Sequence, residues 1–304
     1  MKTVCITGAY GFIGRHVARL YASKGWHVVG IGHGSWSREG WQIWGISDWH
    51  LSDITLDSML TYAGRPDLIV HCAGSGSVSF SMDHPLQDFQ RTVDTIVAVL
   101  EFVRLYTHST KLVYPSSAGV YGVADQIPIK ESDALRPISP YGIHKKMAED
   151  LCLSYAKHFG IAAAVVRLFS VYGNTLRKQL LWDTCLKLDN QENTFFGSGL
   201  EKRDWLHIND AATLLFDAGN NASADCPVIN GGTGKGVTVS EIVAEIFRCY
   251  KCLQSPEFTG TTRPGDPVDY VADISKARLW GWKPLKTWQE GIKNYVEWYK
   301  DGAY

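Results

Sequence analysis

The stretch Lys2-Thr3-Val4-Cys5-Ile6-Thr7-Gly8-Ala9-Tyr10-Gly11-Phe12-Ile13-Gly14 decides the fold. Its first half, Lys2 to Thr7, is a short apolar run that reads as a buried strand. Glycines stand at 8, 11 and 14, and the residues after them read as a helix to about Lys24. Strand, glycine turn and helix, in that order, is the context a dinucleotide-binding loop requires. Glycines let the backbone pass close to a pyrophosphate, and the helix start supplies N–H groups and the positive end of its dipole. The spacing is Gly-x-x-Gly-x-x-Gly, not the Gly-x-Gly-x-x-Gly of simpler dehydrogenases. Gly8, Tyr10, Gly11, Phe12, Ile13 and Gly14 are therefore candidate cofactor contacts.

Outward from that loop, Trp26 to Ile31 reads as a second strand. Its end normally carries an acid for the adenosine ribose hydroxyls. Here the sequence runs Gly30-Ile31-Gly32-His33-Gly34-Ser35-Trp36-Ser37-Arg38, with no acid at the tip. An acid would repel a 2′-phosphate, whereas His33, Ser35 and Arg38 can receive one. The expectation is NADP as the favoured cofactor, with NAD as the alternative. Trp44 to Leu51 reads as a third strand, followed by Asp53 and Ile54. Asp53 either sits beside the adenine or caps the next helix, Leu56 to Ala63. Asp67 to Cys72 is a buried strand running into Cys72, Ala73 and Gly74, small residues where a cofactor passes.

Pro85 to Thr107 reads as one long amphipathic helix. The strand Lys111 to Tyr114 runs into Ser116 and Ser117, which places Ser117 where open α/β sheets bind ligands. A helix Pro140 to Phe159 and a strand Ala162 to Leu168 complete the alternation. The predicted class is α/β, a Rossmann-type doubly wound parallel sheet with a smaller C-terminal substrate-binding lobe. Residues 1–173 form the dinucleotide-binding domain in this reading, with parts of 205–232 returning to it. The remainder of 174–304 is mostly the lobe. There helices are read near 176–188, 209–218 and 238–250, with a short strand at 228–230 and two closing helices.

Composition narrows the partners. The 304 residues carry 30 basic and 31 acidic side chains, so bulk charge gives no reason to expect nucleic acid or a membrane surface. No apolar run approaches the roughly 18 residues of a membrane span. The seven cysteines are scattered and mostly in apolar surroundings, which reads as reduced thiols in a cytoplasmic protein. Cys249 and Cys252 form a lone Cys-x-x-Cys, read as structural.

The catalytic signal is Ser139-Pro140-Tyr141-Gly142-Ile143-His144-Lys145. Tyr141 and Lys145, at i and i+4, share a helix face. An adjacent ammonium favours phenolate and lowers a tyrosine pKa, giving an acid/base for an alcohol or ketone oxygen. Alone this pair is weak; its company is not. With Thr7-Gly8-x-x-Gly11-x-x-Gly14 come Pro66-Asp67-Leu68-Ile69-Val70-His71-x-Ala73, Ser116-Ser117-x-x-Val120-Tyr121-Gly122 and Arg167-x-x-x-Val171-Tyr172-Gly173. Arg203-Asp204-Trp205-x-His207-x-x-Asp210 and Arg263-Pro264-Gly265-Asp266 follow. In that order, over essentially the whole chain, they resemble the extended short-chain dehydrogenases/reductases, a group of nucleotide-sugar epimerases, dehydratases and reductases.

The resemblance implies roles. Tyr141 would be the acid/base, Lys145 would hold the nicotinamide ribose and lower the tyrosine pKa, and Ser117 would bind the same sugar oxygen. Arg203 and Arg263 would engage the substrate pyrophosphate; the alternative for each is ion pairing, with Asp204 or Asp266. Ser170 and Thr92 stand where asparagines are common, Ser170 toward the substrate and Thr92 behind the active site. Ala118 and Gly119 after Ser117 cannot move protons, which disfavours elimination and 3,5-epimerisation. Redox at one carbon, C4 of a nucleotide-activated sugar, remains. A 4-keto-sugar reductase is favoured, with a 4-epimerase as the alternative. Action on a small non-nucleotide ketone and a catalytically silent dinucleotide sensor are the more distant readings. The resemblance also implies a homodimer pairing the helices Pro85–Thr107 and Pro140–Phe159, and a setting in surface-polysaccharide synthesis.

Overall fold

The structure is a computed structural model and describes residues 1–261 and 269–302. The chain opens β1 (Thr3–Thr7), α1 (Phe12–Ser23), β2 (His27–Gly32), α2 (Arg38–Gln42), β3 (Asp48–Leu51), α3 (Leu56–Tyr62) and β4 (Leu68–His71). Then come α4 (Val78–Asp83), α5 (Pro85–Phe89), a π turn at Gln90–Asp94, α6 (Thr95–Tyr106), β5 (Lys111–Ser117), a 3₁₀ turn at Ala118–Val120, α7 (Pro140–Phe159) and β6 (Ala163–Leu168). The remainder is β7 (Ser170–Tyr172), α8 (Gln179–Asp189), β8 (Thr194–Phe195), β9 (Lys202–Arg203), β10 (Trp205–His207), α9 (Ile208–Asn221) and β11 (Val228–Gly231). It closes with β12 (Val237–Thr238), α10 (Val239–Tyr250), β13 (Glu257–Phe258), β14 (Asp269–Tyr270), α11 (Ser275–Leu279) and α12 (Trp288–Lys300).

Seven strands form one sheet in the order β3-β2-β1-β4-β5-β6-β11, every neighbour parallel. This is the doubly wound arrangement expected from the alternation of strands and helices. Both faces are buried, so the strands read as nearly continuous apolar runs. Side chains still alternate: Val4, Ile6, Val70 and Val113 join α1 and α9 on one face. Cys5, Ile69, Leu112 and Tyr114 meet α3, α6 and α7 on the other. The strand order reverses direction between β1 and β4, which opens a crevice at their carboxyl ends. A third apolar cluster joins α8, α10 and α12 through Leu181, Ile242, Ile246, Ile292 and Tyr295.

Local chemistry sets the helix ends. Ser139 caps α7 by accepting from Gly142 N at 3.1 Å, Pro140 occupies its first turn, and Gly160 in the left-handed region ends it. Capping boxes start α3 (Thr55 and Ser58), α10 (Thr238 and Glu241) and α12 (Thr287 and Glu290).

Two expectations change. The helix read over Pro85–Thr107 is α5, the π turn and α6 in succession, with α4 capped by Ser77 before it. In the π turn, Thr92 accepts from Ser75 N at 3.4 Å, tying this helix to the loop after β4. Of the strand read over Trp44–Leu51, only Asp48–Leu51 pairs with β2. Trp44 instead meets Arg15, His16 and Arg19 of α1. Among the described residues no helix is long and apolar enough to cross a membrane, and the seven cysteines are unpaired thiols.

Candidate active site

The glycine loop sits at the crevice between β1 and β4. Gly8, at φ +68, is so close to the tip of β4 that a Cβ there would lie 2.6 Å from Ala73 N. A Cβ on Gly14 would lie 2.8 Å from Ala9 Cα. Thr7 Oγ1 joins His71 Nδ1 at 2.7 Å, which ties the two strand ends together. Gly11 starts α1 without a side-chain cap, so the first N–H groups are left to face an anion. A side-chain-free cradle under an uncapped helix start fits a dinucleotide pyrophosphate. Cys72, Ala73 and Gly74 form the opposite lip.

Tyr141, Lys145 and Ser117 meet at the carboxyl ends of β4 and β5. Tyr141 lies in the first turn of α7 and hydrogen-bonds with the Ser117 side chain. A side chain on Gly119 would touch both, 3.4 Å from Ser117 Oγ and 3.4 Å from the Tyr141 ring. Ser117 Oγ also accepts from Gly119 N at 3.1 Å, which fixes its rotamer. Lys145, one turn below Tyr141, is buried. Its Nζ donates to Pro115 O at 3.1 Å and lies 4.8 Å from the centre of the Tyr114 ring. A Cβ on Gly74 would be 4.0 Å from that Nζ, so the ammonium stands where α7, β5 and the β4 loop converge.

The electrostatics correct one expectation. Burial pulls the Lys145 pKa down to about 8, with Cys72, Asp88 and Glu149 opposing. The Tyr141 pKa lies above its ordinary value: burial raises it, the Ser117 hydrogen bond lowers it, and Asp88 raises it. The ammonium is engaged with Pro115 O, so desolvation of the phenolate outweighs any help from it.

Other candidates separate. Ser116 has its hydroxyl turned beneath α7, donating to Glu149. Asp53 and Ile54 follow β3, and His33 follows β2, with Ser35 and Arg38 exposed beyond it. Tyr10 bears on the β2 loop, its ring edge-on to Trp36. Ser170 starts β7, which pairs with β10, and Arg203 lies in β9 between β12 and β14. The alternative that Asp204 pairs with Arg203 gives way to a role in the fold. Asp204 is fully buried and accepts from Thr233 N (2.6 Å), Thr233 Oγ1 (2.7 Å), Gly234 N (2.9 Å) and Ala272 N (3.1 Å). Arg263 and Asp266 lie outside the described residues.

Two buried pairs on α7 escape the sequence reading. Glu149 binds Arg167 through Nη2 at 2.8 Å and through Nε. His144 Nδ1 meets buried Asp88 Oδ2 at 2.6 Å. The signal for Glu149 was an acid at i+4 from Lys145, on the stripe that buries Cys152 and Ala156. Among the described residues no cluster of His, Cys, Asp and Glu could hold a metal ion.

Comparison with known proteins adds the family. The model of the NAD dependent epimerase/dehydratase family matches residues 4–230. A putative UDP-glucose 4-epimerase of Methanocaldococcus jannaschii is 28% identical over 309 residues, covering 98% of both chains. UDP-glucuronate 4-epimerase 4 of Arabidopsis thaliana is 27% identical, over 98% of this chain and 75% of that protein. Among solved structures, the UDP-glucuronic acid 4-epimerase of Bacillus cereus, in complex with UDP-glucuronic acid and NAD, is 25% identical. It superposes with a TM-score of 0.87 over 99% of this chain and 100% of that one.

Proposed function

The chain belongs to the NAD-dependent epimerase/dehydratase family of extended short-chain dehydrogenases/reductases, and on that premise we propose that it is an NAD-dependent 4-epimerase of a UDP-activated sugar. The observation that carries the reading is the Ser117–Tyr141–Lys145 cluster at the carboxyl edge of the sheet, beside the glycine cradle. Likeness over essentially the whole of this chain to proteins named as 4-epimerases supports C4 as the reacting carbon. The reductase and NADP expectations yield to the epimerase and NAD, since those relatives carry the 4-epimerase name and the solved neighbour was captured with NAD.

In this reading Gly8, Tyr10, Gly11, Phe12, Ile13 and Gly14 bind the pyrophosphate side of the dinucleotide, and Cys72, Ala73 and Gly74 flank it. Bound NAD supplies reversible two-electron oxidation at the sugar carbon. Tyr141 Oη takes the proton of the sugar 4-hydroxyl and returns it, and Ser117 Oγ holds that same oxygen. Lys145 would bind the cofactor ribose, its ammonium held in place by Pro115 O. Ala118 and Gly119 carry no proton-transferring group, so the loop offers no second acid or base for elimination. Ser170 and Arg203 are proposed to face the substrate from the lobe built on α8, α10 and α12.

The test supplies UDP-glucose or UDP-glucuronate with no added reductant and follows the C4 epimer by NMR. Turnover without net nicotinamide consumption is expected. Product formed only in proportion to added NADPH would return the reductase to first place. Tyr141→Phe should lower kcat about 10²- to 10⁴-fold, the usual contribution of a positioned acid/base, while dinucleotide binding is kept. Unchanged activity would sink the role of Tyr141.

A further inference from the structure

The sheet has a second end. At the amino ends of β1, β4 and β5, opposite the edge that carries Ser117 and the glycine cradle, lies a cavity of about 730 Å³. Its walls include the last turns of α1, α6 and α9, at Tyr21, Tyr106 and Gly219, and the residues that lead into the three strands. The length of β1, five residues at roughly 3.3 Å each, separates it from Gly8. It is therefore no part of the site above. A volume of this order suits a small organic ligand.

The first pointer to a ligand is a pair of hydroxyls. Tyr21 and Thr107 line the cavity and are 1% and 7% exposed, yet neither Tyr21 Oη nor Thr107 Oγ1 has a hydrogen-bond partner among the described residues. Tyr21 Oη stands against Gly219, where a Cβ would lie 2.9 Å from it, so the glycine keeps the space beside the hydroxyl open. Buried hydroxyls are nearly always satisfied, and two at one cavity can donate to an acceptor from outside the chain.

The second pointer is charge. Lys2, Arg65 and Lys111 line the cavity against one carboxylate, Asp67. Asp67 Oδ2 is taken by Thr3 N at 2.7 Å. Lys111 Nζ is anchored on Asn220 O at 3.1 Å, at the end of α9. Lys2 Nζ rests over the Trp26 ring, 5.3 Å from its centre. Arg65 makes no hydrogen bond or ion pair among the described residues. Three cations against one acid leave two positive charges, the complement of a phosphate monoester, which carries about −1.5 to −2 at pH 7. Trp26 and Tyr106 offer aromatic area for the organic body of such a molecule.

We propose that this cavity is a binding site for a small organic phosphate monoester, its phosphate paired with Lys2 and Arg65 and its acceptor oxygens met by the Tyr21 and Thr107 hydroxyls. The site is independent of the nicotinamide and sugar readings, since it shares no residue with them.

The experiment is calorimetric titration of the full-length protein with phenyl phosphate, in the presence of saturating NAD. It compares the native chain with Lys2→Ala, Arg65→Ala, Tyr21→Phe and Thr107→Val, and repeats the native titration with benzoate and with inorganic phosphate. Native protein should bind phenyl phosphate at one site. Lys2→Ala and Arg65→Ala should each weaken it about tenfold, the scale of a lost charged hydrogen bond. Tyr21→Phe and Thr107→Val should weaken it several-fold. Without ligand, Tyr21→Phe should melt no lower than the native protein, because the hydroxyl it removes has no partner in the fold. A lower melting temperature would make that hydroxyl structural and overturn the proposal. Native protein that takes up no phenyl phosphate by about 10 mM also overturns it, as does binding that all four variants keep, which would lie elsewhere. Benzoate that binds equally well overturns the phosphate, and inorganic phosphate that binds equally well overturns the organic body.

Discussion

Lys145 shows what one residue of this site costs the fold. Its ammonium is buried with a single carbonyl partner, Pro115 O, and its pKa is depressed from 10.5 to about 8. Between those values the unfolded chain holds a proton that the folded chain does not, so stability rises with pH across that window. Below about pH 8 both states are protonated and the penalty is fully present. At ~1.36 kcal/mol per unit it is on the order of 3 kcal/mol. Lys145→Met keeps the length and removes the charge. It should therefore melt higher than the native protein at pH 7, with the gap closing as pH approaches 10. Its activity should be lost. Thermal melts from pH 6 to 10 read this directly; a gap that does not change with pH would mean that burial of the charge is not its cause. In the proposed function the stability is given up at the point where the cofactor ribose is to be held.

At the scale of the element, α7 joins the site to the sheet. Tyr141, Lys145 and Glu149 follow at i, i+4 and i+8, and Glu149 locks the helix to β6 through Arg167 and to β5 through Ser116. Glu149→Ala would leave the Arg167 charge buried and uncompensated, at a cost of about 3–5 kcal/mol. Removing both charges, as in Glu149→Leu with Arg167→Leu, should recover most of that, since a buried pair is often replaceable by apolar side chains. Urea unfolding measures both; a loss below about 1 kcal/mol for Glu149→Ala would show that the pair does not hold the helix. The same helix shows what a sequence reveals. Its bounds were legible to the residue because Ser139, Pro140 and Gly160 are local signals. Tyr141 and Lys145 were legible because i and i+4 share a face. The partners of Glu149 and His144 were not, because Arg167 and Asp88 come from other elements. The π turn was hidden too: apolar periodicity runs through it, and one extra residue per turn leaves no mark on composition.

At the scale of the molecule, alternating strands and helices made the parallel sheet readable, and the sheet places the glycine cradle and Ser117 on one edge. The short strands beyond β7 are mostly two residues long and carry no period to read. The direction of the reaction was illegible for a chemical reason. A reductase and an epimerase need the same acid/base, the same lysine and the same crevice. The absent acid at β2 pointed to NADP, and in the structure His33 there has Asp53 as its partner. Association of whole chains is the remaining question at this scale, and we propose a homodimer through α4, α5 and α7. Met82, Leu86, Ile143 and Met147 are exposed on these adjoining helices, by 62%, 68%, 46% and 38%. Ile143 and Met147 are one turn apart on a single face of α7, opposite the stripe that buries Ala148 and Cys152. Large apolar side chains concentrated on one such face are what an interface core uses. Light scattering should give twice the 33.8 kDa of one chain. Ile143→Lys with Met147→Lys places two cations at the centre of that face and should yield a folded monomer with an unchanged far-ultraviolet spectrum. A native protein that is already monomeric at micromolar concentration, or a double variant that stays dimeric, would remove these helices from the interface.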